Sequence, residues 1–336
     1  MPLLKATLPQ RTDADYVAFR PPGAGPKGLG VTAREGIFMS IETVAILSPG
    51  EMGGAVGRAF AAHGFTVITT LEGRSEASRD RALASGFQDG GSLADVVAAA
   101  DIVLSILPPE FALAQAKATA AAMTATGQAP PYADCNAVAP ETAVRIGQII
   151  ADAGADCIDG GIIGSPPRHG SGPTRVFVSG PGAAAMGAFD GTGIAVRQCG
   201  PEIGRGSAIK MAYAGITKGT SALHAAMLIA AERLGVADEL HEELQSSQAA
   251  LYRRMEAMTP ALPAVSERYV GEMLEIAKTM AACSLTTGFH DGAADLYRLL
   301  DTSPFASERR DTVDKDRSLR QTIEVCARAA TGKAAE

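Results

Sequence analysis

Short β-branched apolar runs alternate with small-residue helical stretches through the first two hundred residues, and then the strand signals stop. Ile41–Leu47 (IETVAIL), Phe65–Thr70, Asp101–Leu107 (DIVLSIL), Pro131–Asp134, Ala155–Asp159, Arg175–Ser179 and Ile194–Gln198 read as strands. Their near-continuous hydrophobicity is that of strands covered on both faces, as in a parallel sheet. Gly54–His63 and Glu141–Ala153 read as helices, and 84–100 as a small-residue crossover. From Gly204 the texture changes. Ser207–Leu234 is one long Ala-rich helical run, followed by helical stretches at 238–257, 265–283, 290–300 and 312–330. The pattern predicts an α/β, doubly wound domain over 40–203 and an all-α domain over 204–330. Ligands of such a sheet bind at the carboxyl ends of its strands. Residues 1–39 carry scattered charges and a PPGAGPKGLG stretch without apolar periodicity, and are read as a flexible extension.

The first strand runs into Ser48-Pro49-Gly50-Glu51-Met52-Gly53 and then a helix, with a second strand after Gly64. Strand, tight glycine turn, helix and strand within about thirty residues is the context of a Rossmann-type dinucleotide fingerprint. Gly50 lets the backbone approach a pyrophosphate, and Gly53 lets the helix pack close to the strand. The helix N-terminus offers free N–H groups to the anion. Ser48 stands where the fingerprint has its first glycine. Ser48, Pro49, Gly50, Glu51 and Met52 are therefore candidate cofactor contacts, joined by Leu107 at the end of its strand and by Asn136 just beyond another.

Composition narrows the function classes. The chain has 336 residues, 46% hydrophobic, with 30 Lys+Arg against 37 Asp+Glu and a net charge of −7. No basic excess points to nucleic acid, and no apolar run reaches the roughly 18 residues of a membrane span. Five widely spaced cysteines without a CxxC pair, and five histidines without HxxxH spacing, argue against a disulfide scaffold and a standard zinc site. The expectation is a reduced, soluble, cytoplasmic protein acting on a small molecule.

Four segments in order resemble the β-hydroxyacid dehydrogenase family, relatives of 6-phosphogluconate and 3-hydroxyisobutyrate dehydrogenases, over about 41–330. VAILSPGEMG (44–53) resembles the family's opening IGFIGLGxMG. DCNAVAP (134–140) resembles DxSTxxP, and DGGIIGSPPRHGSGPTRVFVSG (159–180) resembles DAPVSGGxxGAxxGTLxxMVGG. GPEIGRGSAIKMAYA (200–214) resembles GxxGxGxxxKxxxN, which places one lysine on the interdomain helix. Asn136-Ala137 stand for the family's Ser-Thr, Ile163 for the serine that helps hold a substrate carboxylate, and Ala214 for the asparagine four residues after the lysine. These departures resemble a branch with a distinct helical domain.

The resemblance implies an NAD(P)-dependent oxidoreductase moving a hydride between the nicotinamide and a small hydroxy acid or its carbonyl partner. Lys210 would be the general acid/base, and its pKa, near 10.4 when free, would have to fall by desolvation. A C=N reductase and a non-catalytic dinucleotide-binding protein are the alternatives. Tyr213 shares a helix face with Lys210, as a substrate contact or a buried structural tyrosine, and Lys218 lies two turns on. Asn136, Gly160 and Gly161 are the other substrate candidates, while Arg168, His169, His290, Glu272 and Glu275 read as ordinary loop or helix residues. Cofactor choice turns on Glu72, placed for the ribose of NAD, against Arg74-Ser75, similar to the Arg-Thr pair that takes an NADP phosphate in the family. NADP is favoured, with NAD possible. The long Ala-rich helix predicts more apolar surface than one chain hides, and the family implies a homodimer through it.

Overall fold

The computed structural model describes residues 41–168, 172–309 and 312–329. The expected extension over 1–39 and His169 lie outside them. The described residues belong to one compact unit. Its sheet strands are β1 (Thr43–Ile46), β2 (Thr66–Thr69), β3 (Gln88–Asp89), β4 (Ile102–Ser105), β5 (Tyr132–Asp134), β6 (Cys157–Ile163), β7 (Thr174–Ser179) and β8 (Ile194–Gln198). Between them run helices α1 (Glu51–Ala62), α2 (Glu76–Ala84), α3 (Leu93–Ala99), α4 (Ala112–Thr126) and α5 (Pro140–Asp152). The order across the sheet is β3-β2-β1-β4-β5-β6-β7-β8. Its first six positions are the doubly wound arrangement of dinucleotide-binding domains, parallel throughout.

β7 departs from the parallel expectation and runs antiparallel to β6. Residues 164–173 between them are too few for the crossover of about a dozen or more residues that a parallel return requires. The 84–100 segment also differs from a simple crossover. Gly86, at φ +79°, ends the turn after α2, and Gly91, at φ +83°, precedes the Ser92 cap of α3. The two breaks leave room for the short edge strand β3. Apolar residues cover both faces of the sheet, with Val44, Ile46, Phe60, Ile102 and Ile158 in one layer and Ala45, Leu47, Val103, Tyr132 and Ile146 in the other.

Beyond β8 every regular element among the described residues is helical. α6 spans Arg205–Leu234, about 45 Å at 1.5 Å per residue. α7 (Ala237–Ser247), α8 (Ala249–Met258), α9 (Ser266–Ala282), α10 (Gly288–Leu300) and α11 (Leu319–Ala329) follow. The run read as one stretch at 238–257 breaks at Gln248, whose backbone leaves the helical region. Met211, Ala214, Ala222, Leu228, Met273, Ile276 and Tyr297 build a separate core around α6. No described helix is long and apolar enough to cross a membrane.

α6 is anchored to the sheet by the absence of side chains. A Cβ on Gly161 would collide with the Gly206 carbonyl oxygen, and one on Gly206 would lie 2.6 Å from the Asp159 and Phe177 carbonyl oxygens. The first turn of α6 thus rests directly on the backbones of β6 and β7. Gly161 lies within the buried strand β6, which corrects the expectation that Gly160 and Gly161 sit past a strand end and admit substrate. Gly160 faces the Cys135 thiol and the Asp134 carbonyl. Both glycines serve close packing.

Candidate functional site

The turn between β1 and α1 is the first part of the site. Gly53 cannot carry a side chain, because its Cβ would strike the Ser48 carbonyl oxygen. Gly50 has φ −69°, and a Cβ there would meet only the Ser48 hydroxyl, at 3.7 Å, so the fold itself does not require glycine at this position. A ligand pressed against the turn would. No side chain caps α1, so its first N–H groups remain available to an anion. Arg74, half-buried, donates from its guanidinium to the Leu47 carbonyl oxygen at 2.9 Å, which fixes its charge beside this turn. Ser75 and Glu72 are exposed, and Arg79 donates to the Arg74 carbonyl oxygen. Leu71, Glu72, Arg79, Asp89, Gly91 and Ser92 line a hollow of about 310 Å³ outside β2 and β3. Backbone donors, a guanidinium and an open hollow in sequence fit a dinucleotide.

The carboxyl ends of β4, β5 and β6 form the second part. Asn136 is 2% exposed, and its amide is fully engaged. Its Oδ1 accepts from the Leu107 N–H at 2.5 Å, while its Nδ2 donates to Ser105 Oγ and Asp134 Oδ1. This corrects the expectation of an Asn136 side chain facing cofactor or substrate: it ties the end of β4 to the end of β5, and so shapes the Leu107 loop. Asp134 is pushed up to about 8 by burial, then by the charge of Asp159, with the Asn136 bond opposing. Burial likewise raises the Cys135 thiol, which makes it a poor nucleophile.

Asp159, fully buried on β6, gathers the start of α6. Its carboxylate accepts from the N–H groups of Gly204 (2.8 Å) and Ser207 (3.0 Å) and from the hydroxyls of Ser207 and Ser179 (3.0 Å). It satisfies helix N-terminal donors from outside the helix, the task an N-cap side chain normally performs.

Lys210 stands one turn further. It is half-buried, and the close Gly161 contact seats its Cβ over β6. Burial lowers its pKa from the ordinary lysine value, Glu272 pulls the other way, and Arg268 adds to the fall. Tyr213 is 46% exposed, so the buried structural reading does not hold. Thr217 and Ser221 turn their hydroxyls back to the helix carbonyls of Tyr213 and Thr217, and Ala214 is buried.

The structure brings in residues that the sequence left among the ordinary. Glu272 of α9, 3% exposed, forms an ion pair with Lys218, and its second oxygen lies 3.5 Å from Arg268. The Lys218 ammonium sits 4.2 Å from the centre of the Tyr269 ring. Burial drives Lys218 down to about 7 against the attraction of Glu272. For Glu272, burial raises the carboxyl, but Lys218, Lys210 and Arg268 outweigh it and hold it low. Glu275 accepts from the Ala139 N–H at 2.8 Å and so pins α9 to the start of α5. The available signal was two glutamates on the α9 face that otherwise carries Tyr269, Met273 and Ile276. His290 packs against Gly215 and Gly219 of α6, away from these charges' contacts.

Residues 43–188 match the NAD binding domain of 6-phosphogluconate dehydrogenase, and residues 231–300 match a domain of unknown function, DUF1932. A solved protein of unknown function, MTH1747, described as structurally similar to 3-hydroxyacid dehydrogenases, is 27% identical. It superposes with a TM-score of 0.56 over 77% of this chain and 98% of its own. Together these matches support a β-hydroxyacid dehydrogenase-like protein with a C-terminal helical domain. The fold is also that of a Mycobacterium tuberculosis 3-hydroxyisobutyrate dehydrogenase, at 18% identity and a TM-score of 0.60, over 85% of this chain and 99% of that one. An uncharacterized 28.5 kDa protein of Methanothermus fervidus is 29% identical over 182 residues, 54% of this chain and 68% of its own length. The matched NAD-binding domain precedes an all-helical region, which includes the DUF1932 segment.

Proposed function

We propose that this protein is an NADP-dependent oxidoreductase that interconverts a small hydroxy acid and its carbonyl partner, with Lys210 as the general acid/base. The observation that carries this reading is the seat of Lys210. The lysine is half-buried on the first turns of α6, directly over the sheet, and burial lowers its pKa. A neutral amine there takes the hydroxyl proton as the carbinol is oxidised, and returns it when the carbonyl is reduced. The nicotinamide, when bound, accepts or supplies the hydride. Ser48, Pro49, Gly50, Glu51 and Met52 would hold the pyrophosphate, and Leu107 would border the nicotinamide end. Tyr213, beside Lys210 and open to solvent, is a substrate contact in this reading. Absorbance at 340 nm across hydroxy acids, keto acids and imines tests it. Turnover confined to imines, or none with any class, overturns it.

NADP rather than NAD is favoured by the fixed position of Arg74 beside the glycine turn, with Ser75 and Arg79 adjacent. A guanidinium fork suits the 2′-phosphate dianion. NADPH is expected to bind at least tenfold more tightly than NADH, about 1.4 kcal/mol, and Arg74→Ala to narrow the gap by weakening NADPH alone. Fluorescence titration of both cofactors reads this, and a native preference for NADH would give the ribose to Glu72.

We further propose a homodimer through α6. Ile209, Ile216, Leu223, Met227 and Leu234 are all exposed, and their spacings of four and seven residues draw one stripe along the helix. Such a heptad-like seam is stable when it packs against another helix. Light scattering at micromolar concentration is expected to give twice the chain mass, and Ile216→Glu with Leu223→Glu to give the monomer. A native monomer refutes the assignment.

A further inference from the structure

Three buried polar residues stand in one row across the carboxyl ends of the central strands. The sheet register sets Ser105 of β4 beside Asp134 of β5, and Asp134 beside Asp159 of β6. Paired positions on neighbouring strands share a face and lie about 5 Å apart, so two carboxyl groups are neighbours in the middle of the sheet. Both are closed to water, at 1% and 0% exposure. Their surroundings differ. Asp159 collects two backbone N–H groups and two hydroxyls. Asp134 receives one amide N–H, from Asn136, on Oδ1, and its Oδ2 is buried with no hydrogen-bond partner. A second negative charge in this row would sit against the first, on an oxygen that no donor serves. The elements packed on β5 do not relieve it. β4 offers the Ser105 hydroxyl, whose oxygen already accepts from Asn136, β6 the Cys157 thiol and Asp159, and α5 the apolar Ala143 and Ile146. On its own segment the titratable neighbours are Tyr132 and Cys135.

We propose that Asp134 is a positioning residue of the oxidoreductase site, held as the neutral acid and joining the Leu107 loop to the clasp beneath Lys210. The proposal rests on the oxidoreductase reading and adds a proton-dependent element to that site. From Oδ1 the link runs through the Asn136 amide to the Leu107 N–H, at the nicotinamide end in that reading. On the other side stands Asp159, which holds the Gly204 and Ser207 N–H groups at the head of α6, one turn before Lys210. While Asp134 is neutral, the row packs without repulsion. Loss of its proton sets two buried carboxylates side by side and strains the junction of β5 and β6. Asn136 and the Leu107 loop move with the end of β5. Burial and the Asp159 charge, against the Asn136 bond, place this ionisation at about 8. The neutral acid therefore prevails below that pH, and the loop is lost as pH rises through it.

The test uses the full chain and follows NADPH binding by fluorescence from about pH 6.5 to about pH 9.5. The native dissociation constant is expected to rise at least fivefold across this range. That of Asp134→Asn, which keeps the shape and an accepting oxygen but cannot ionise, is expected to rise less than twofold. A residue that only filled space would give both proteins the same profile. Infrared spectra of the native protein supply a second reading that needs no variant. A carboxylic-acid C=O band is expected at the acid end of the range and its loss at the alkaline end. If Asp134→Asn fails to fold, this band decides alone. Parallel NADPH profiles for the native protein and Asp134→Asn, or infrared spectra without that change, overturn the proposal. Failure of the native protein to bind NADPH at any pH overturns the oxidoreductase reading instead.

Discussion

Lys210→Met is expected to lower turnover by roughly 10²–10⁴, the usual worth of a positioned acid/base, while NADPH binding stays within a few-fold of native. The two readouts separate because Lys210 lies on α6, whereas the proposed cofactor cradle is built from the β1–α1 turn and Arg74. Methionine keeps the length and the helix propensity but exchanges no proton. Arginine keeps the charge, stays protonated, and is expected to rescue poorly in the oxidative direction. The pH profile carries a signature of its own. In the proposed mechanism oxidation needs the neutral amine, so its rate is expected to rise as pH climbs through the Lys210 pKa. Burial, against Glu272 and with Arg268, moves that limb below the ordinary lysine value. Removing the opposing carboxylate with Glu272→Gln is expected to move the limb lower still, and stopped-flow rates across pH measure it. Turnover of Lys210→Met within threefold of native would exclude Lys210 from the chemistry and pass suspicion to Tyr213.

Asp159→Ala is expected to destabilise the fold by about 3–5 kcal/mol, the range for stripping a buried charged group from its hydrogen-bonded partners. The carboxylate serves the Gly204 and Ser207 N–H groups and the Ser179 and Ser207 hydroxyls at once. Alanine leaves two buried backbone donors at the head of α6 without acceptors, and water does not reach a residue with no exposed surface. Asp159→Asn keeps one accepting oxygen and is expected to lose less. Urea midpoints of the three proteins measure the effect, and equal midpoints for native and Asp159→Ala would show that α6 is held by its glycine contacts alone. Because Lys210 sits one turn beyond this clasp, Asp159→Asn is also expected to lower turnover with little change in NADPH affinity.

Local order was legible wherever one residue's role is set by its near neighbours. The strand–turn–helix at 43–62, the succession of parallel strands and the long helix after Gly204 all follow from periodicity and from glycine in a tight turn. The place of Lys210 on the first turns of that helix was legible too, because its distance from Gly204 and Gly206 is local. The antiparallel β7 was not, since strand direction depends on how the chain returns to a sheet edge, and the 174–179 sequence reads alike in either sense.

Asn136 and the glycine pair show why side-chain roles escaped the sequence. An asparagine beyond a strand end is equally suited to a ligand or to a neighbouring strand. Only the packing of β4 against β5 gives its amide to Leu107, Ser105 and Asp134. Gly160-Gly161 reads as room for a ligand, but the room is filled by a cysteine and by the backbone of α6. Glu272 is further still from reach, sixty-two residues from Lys210 in the chain and adjacent only through the packing of α9 on α6. Sequence by itself determined the elements, the glycine turn and the position of Lys210 on its helix, because these depend on backbone geometry and spacing within a few turns. Tertiary structure decided which polar groups are spent on one another and which charges lie together, because burial and electrostatic coupling depend on distances that no spacing along the chain encodes.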